Sequence, residues 1–178
     1  AFVAELFDQG VTTVEIKSGY GLDVENELKQ LRVIRRLRAA CRADIAPTFL
    51  GAHAVPPEFE NRADDYCALV CGEMIPAVAR EGLAEFCDVF CESGVFSVEQ
   101  SRKILMAGRS CGLIPKIHAD EIDELGGSAL AGELRAISAE HLVATGERGM
   151  AAMAAGGVTA VLLPGTSLYL NKSYAPAR

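Results

Sequence analysis

Six short runs of apolar and β-branched residues punctuate the chain, at 12–18, 44–50, 86–92, 113–118, 135–141 and 158–164. Each is bounded by glycine, proline or acidic residues, as buried parallel strands tend to be. Between them the apolar period lengthens from two to between three and four. In the segment 25–41, Leu28, Leu31, Ile34, Leu37 and Cys41 fall on one helical face and charges on the other. Asp23 stands where an N-cap belongs. Further helices are predicted over 64–80, 97–111, 126–133 and 145–155, with a capping box from Ser97 to Gln100 and a helix stop at Gly112. Regular βα alternation predicts a parallel sheet covered by helices. An open doubly wound sheet and part of a (β/α)8 barrel both satisfy that pattern. No GxGxxG or phosphate-binding loop follows the first strand, which weakens the nucleotide-binding version. Six strands are also too few to close a barrel built around eight, so a barrel reading implies missing strands.

Composition narrows the function classes. The chain has 178 residues, a formal charge of -7, and half its residues are hydrophobic. So much apolar surface excludes disorder, the length suggests one domain, and an acidic chain without a basic block excludes general nucleic-acid binding. The uncharged stretch from Met150 to Asn171 approaches the length of a membrane span. It holds Gly156, Gly157, Pro164 and Gly165, so it reads as a helix end, a buried strand and a loop, with no membrane partner expected. The first residues, AFVAELFDQG, carry no targeting pattern, and a cytoplasmic setting is expected. Cysteines 41, 67, 71, 87, 91 and 111 lack CxxC spacing and read as reduced and mostly buried; Cys67 and Cys71, one turn apart, could in principle share a metal.

The chemistry concentrates in three histidines. His53, His118 and His141 each lie at or just beyond the carboxyl end of a predicted strand, the face on which barrels build active sites. Tyr20 and Glu92 belong to the same rim. His118 opens the sequence HADE, which sets Asp120 and Glu121 close behind it. An imidazole at a strand end with a carboxylate three residues on suits a metal ligand beside a proton-transferring acid. One histidine cannot hold a catalytic zinc, and neither HxH nor HExxH occurs, so the site as written is incomplete.

The stretches EIKSGYGLD (15–23), TFLGAHAVPPE (48–58), DVFCE (88–92), KIHADEI (116–122), SAEH (138–141) and AVLLPG (160–165) resemble the imidazolonepropionases, metal-dependent amidohydrolases of histidine degradation. The match runs in order and nearly end to end. The resemblance implies a (β/α)8 TIM barrel of which residues 1–178 supply about strands two to seven. It places an HxH pair on strand one, a metal-binding aspartate on strand eight, and a flanking β-sandwich outside the chain. His118 is then the retained ligand of one divalent metal, zinc or iron. Glu121 would contact the imidazolone ring and move a proton, and His141 would stand beside the reacting carbonyl. Tyr20 and His53 would line the pocket for imidazolone propionate, and a homodimer is implied.

Two other readings compete: a related deaminase acting on a purine or pyrimidine, and a non-catalytic scaffold that lost its metal site. The absent initiator methionine favours truncation over loss. Residues 1–178 alone are expected to be catalytically silent and marginally folded, because two unpaired sheet edges remain where a barrel would close.

Overall fold

A computed structural model describes residues 2–177. Among them, β1 (Thr13–Lys17), β2 (Asp44–Ala52), β3 (Phe86–Cys91), β4 (Ile114–Ala119), β5 (Ser138–His141) and β6 (Thr159–Val161) form one parallel sheet in sequential order. The six strand predictions therefore hold, and the order decides between the two architectures. A doubly wound sheet reverses its strand order part-way, which moves helices to the second face. Here the order never reverses, so successive right-handed crossovers lay the helices that connect the strands on one face.

The other face is closed by curvature. Lys17 Nζ on β1 lies 2.9 Å from Glu140 Oε1 on β5, four strands away. A flat sheet would hold those strands about 19 Å apart, too far for two side chains to span. The fold is thus a curled, six-stranded parallel half-barrel.

The connecting helices follow their local signals. α1 (Phe2–Asp8) precedes β1, and α2 (Val24–Ala40) is capped by Asp23 Oδ1, which accepts the Asn26 N–H at 2.8 Å. α5 (Val98–Ser110) carries the full Ser97–Gln100 capping box. After it, Gly112 takes a positive φ of 85°, as a helix stop requires. α6 (Gly127–Leu134) and α7 (Glu147–Gly156) follow β4 and β5. The core lies between helices and sheet. Phe49, Cys87, Val89, Ile117 and Ala139 face Leu31, Ile34, Val70, Met74, Ile75, Ile104, Leu105 and Leu130, all buried.

Three expectations change. The helix predicted over 64–80 is α3 (Ala63–Leu69), a wider π turn at Val70–Met74, and α4 (Ile75–Glu81). Pro76, with no N–H to donate, explains why the regular ladder cannot run through. The buried strand expected at 158–164 shrinks to β6 and is exposed, because it is an edge with β5 as its one neighbour. Part of the loop expected after it is α8 (Pro164–Tyr169), opened by a proline at its first position. No helix among the described residues is long and apolar enough to cross a membrane.

α6 and α7 cross at close range through glycine. A Cβ on Gly132 would sit 2.2 Å from the Ala152 carbonyl oxygen, which is backbone and cannot rotate away. Gly132→Ala should separate the two helices and cost about 1–3 kcal/mol. Chemical denaturation of the intact protein reads this as a lower midpoint.

Candidate active site at the strand ends

The three histidines converge as the sequence predicts. The His53 and His118 ring centroids are 6.4 Å apart, and those of His118 and His141 5.3 Å. Phe90 packs beside both His53 and His118, and the exposed Tyr20 ring stands edge-on to His53 at 5.0 Å. His53 Nδ1 is 3.0 Å from the Gly19 carbonyl oxygen. A carbonyl only accepts, so Nδ1 carries the proton and Nε2 is left for the pocket. This approach needs glycine at 19, which has φ 113° and where a Cβ would sit 2.9 Å from the Leu50 carbonyl oxygen.

His141 reaches the group by breaking the strand's alternation. Ala139 faces the helices, and strict alternation would send residue 141 the same way. Left-handed backbone at His141 (φ 71°) and Leu142 (φ 59°) turns the chain instead. The His141 ring then lies against Glu121, with Nδ1 3.3 Å from Oε1. Burial raises the Glu121 pKa, helped by the Glu92 carboxylate and opposed by His118. Burial, then the neighbouring charge of His118, pushes His141 down to about 4. Both shifts favour the neutral forms, so the two groups can share a hydrogen bond without a buried charge between them.

Two buried carboxylates shape the loops that carry these residues. Glu27 on α2 accepts the backbone N–H groups of Gly19, Gly21 and Leu22, fixing the loop of Tyr20. Asp120 (φ 50°) accepts the N–H groups of Gly126 and Gly127 at 3.1 Å, the Thr145 hydroxyl, and the Ser128 hydroxyl, tying the HADE turn to the start of α6. Glu92, expected on the rim, is buried beneath that turn.

Below the histidines lies an ionic layer that the sequence reading did not single out. Lys17 Nζ sits 2.7 Å from Asp88, 2.8 Å from Glu140 and 3.1 Å from Glu15. Lys116 Nζ sits 2.7 Å from Glu15 and 3.1 Å from Glu140. Burial opposes charge on Lys17 and on Asp88, yet Asp88 and Glu140 hold the Lys17 ammonium well above its ordinary pKa, and His118 with Lys17 holds Asp88 well below. A signal was present in the sequence. Glu15 and Lys17, and Lys116 and His118, are charged or polar pairs two residues apart inside otherwise apolar strands, so each pair shares one face.

Among the described residues, one group is spaced to hold a metal ion: Asp88, His118 and Glu140, whose ligand atoms lie within 4.8 Å of one another. The two carboxylates are already committed to Lys17. His118 is not committed in the same way. Its Nδ1 is buried and, although 3.0 Å from Asp88 Oδ2, it has no aligned hydrogen-bond partner. Three carboxylates against two ammonium groups also leave one negative charge beside this ring. An imidazole nitrogen without a partner in a net negative surrounding fits a cation. The cysteines are all free.

No family model matches the chain. Curated relatives do. It is 60% identical over 169 residues to an imidazolonepropionase of Syntrophobacter fumaroxidans, covering 95% of this chain and 40% of that protein. An imidazolonepropionase of Geobacillus kaustophilus is 57% identical over the same shares. One of Alkaliphilus metalliredigens is 56% identical over 98% of this chain and 42% of its own length. Over nearly its whole length the chain is similar to imidazolonepropionases. It spans about 40% of the length of these relatives.

Solved structures agree on the fold. A Xaa-Pro dipeptidase with bound methionine matches 87% of this chain and 43% of its own, at a TM-score of 0.57 and 19% identity. The A. niger ochratoxinase matches 88% and 42%, at 0.54 and 15%. At these identities the likeness concerns architecture alone.

The ionic layer makes Lys17 hard to replace. Lys17→Met would leave Asp88 and Glu140 buried with their main counter-charge removed. A loss of about 3–5 kcal/mol is expected, read from thermal or denaturant unfolding.

Proposed function

We propose that residues 1–178 carry the central part of a metal-dependent cyclic amidohydrolase that opens 4-imidazolone-5-propanoate to N-formimidoyl-L-glutamate in histidine degradation. The observation that carries this reading is 60% identity to a protein named imidazolonepropionase over 95% of the chain. The convergence of His118, His141 and Glu121 supports it. On this reading the half-barrel is strands two to seven of a (β/α)8 barrel, and the HxH pair, the strand-eight aspartate and the β-sandwich lie outside it. A homodimer and a cytoplasmic setting accompany the proposal.

His118 would hold a divalent ion, zinc or iron, jointly with the ligands outside this chain. When bound, such an ion supplies Lewis acidity and lowers the pKa of water towards neutrality. The remaining steps belong to this chain's residues. Water adds to the ring carbonyl, and His141, neutral beside it, orients the carbonyl and stabilises its developing negative charge by hydrogen bonding. Glu121 takes a proton from the attacking water and returns it to the departing ring nitrogen as the C–N bond breaks. Its raised pKa suits both halves of that transfer. Tyr20 and His53 line the pocket, with His53 Nε2 turned to the ring or the propanoate tail.

The intact protein to which this sequence belongs should consume 4-imidazolone-5-propanoate and form N-formimidoyl-L-glutamate. Ammonia release from a purine or pyrimidine instead would overturn the reading. Glu121→Gln should lower turnover by roughly 10²–10⁴-fold while metal content per protein stays unchanged. Chelation should abolish turnover, and zinc or ferrous ion should restore it. His118→Ala should lower bound metal itself, as read by elemental analysis.

A further inference from the structure

Glu121 sits on a turn with little reason of its own to hold still. The turn opens at Asp120 in left-handed backbone, and its one large apolar side chain, Ile122, is 60% exposed. Packing therefore does not fix it. What the turn does have is a row of backbone N–H groups aimed at one carboxylate. Glu92, at the end of β3 and 1% exposed, accepts the N–H groups of Glu121 and Ile122 at Oε2, each at 2.9 Å. Its Oε1 accepts those of Asp123 at 3.3 Å and Ser93 at 2.8 Å.

No lysine, arginine or histidine among the described residues pairs with Glu92. A buried carboxylate without a cation must be met by hydrogen bonds, and backbone dipoles from two loops supply them here. The dependence runs both ways: the charge needs the amides, and the turn needs the charge. Asp120 anchors the turn's first residue to α6, and Glu92 anchors the next three to β3.

We propose that Glu92 is a positioning residue for the hydrolytic reaction, holding the 120–123 turn so that the Glu121 carboxyl stays against His141. The inference rests on the role given to Glu121 above. Glu92 touches no reacting atom in this account; it acts through the backbone it holds. Glutamine at 92 would keep the shape, but its NH2 group would face N–H donors and the charge would be lost. Aspartate would keep the charge on a shorter arm.

The test uses the intact metal-loaded protein with 4-imidazolone-5-propanoate. Glu92→Gln should lower kcat by about 10²-fold, as small misplacements of catalytic groups do, while KM and metal content hold. Glu92→Asp should recover part of the loss, and it stands in if Glu92→Gln does not fold. Amide hydrogen exchange at residues 121–123 should quicken in Glu92→Gln. In a Glu121→Gln background, Glu92→Gln should cost little more, because the group it positions is gone. Unchanged kcat, unchanged exchange, or an equal loss in both backgrounds would each overturn the proposal, the last by showing a general structural role. If Glu121→Gln itself leaves turnover normal, the Glu121 assignment fails and the positioning role with it. Loss with Glu121→Gln but not with Glu92→Gln refutes the Glu92 inference alone.

Discussion

The Lys17 ammonium group meets carboxylates from β3 and β5 while staying on β1, and the rest of the architecture is consistent only with that reach. A sheet whose strands run in sequence order has helices on one face. Its other face must be satisfied by the sheet itself, and Glu15, Asp88, Lys116 and Glu140 do this in charge rather than in hydrocarbon. A charged interior has a use that an apolar one lacks. It fixes the two carboxylates nearest His118 to a fixed cation, so the imidazole above them is left with an unpaired nitrogen and a surplus of negative potential. The layer that shapes the barrel wall thus also prepares the site.

Above that layer, the loops owe their form to carboxylates that accept backbone N–H groups: Glu27 for the Tyr20 loop, Asp120 and Glu92 for the Glu121 turn. On the proposed function these loops lie where substrate would enter, so packing large side chains across the opening would block it. Buried acceptors underneath hold them from the protein side and leave the pocket free. The same burial sets Glu121 and His141 towards their neutral forms, so loop anchoring and these pKa shifts come from one environment.

Much of this was legible in the chain. Apolar runs located every strand, Asp23 and Ser97 marked helix starts, and the equivalent positions of His53, His118 and His141 brought them to one face. What escaped had physical reasons. Pro76 interrupts a helix whose apolar spacing continues on both sides, so periodicity alone runs through the π turn. β6 is exposed because a residue's burial depends on which strand stands beside it, and apolar composition does not encode that. Asp88 and Glu140 were passed over because single charges inside apolar strands carry no meaning until the curl brings distant strands together. Glu92 was placed on the rim by counting from its strand, but the direction of its carboxylate depends on a turn thirty residues later.

The Lys17–Glu140 contact joins residues 123 positions apart, and this has a consequence in time. At about 5–20 residues per second, a ribosome needs roughly 6–25 s to make that span. For that interval Lys17 has no β5 partner, and its charge remains hydrated. The early βα units can form their local contacts as they emerge, yet the bend that makes them a wall cannot be locked until the strand bearing Glu140 arrives. Nascent chains of this protein therefore pass through a stage with helices in place and an open, water-facing sheet, the stage at which a chaperone would have most to cover.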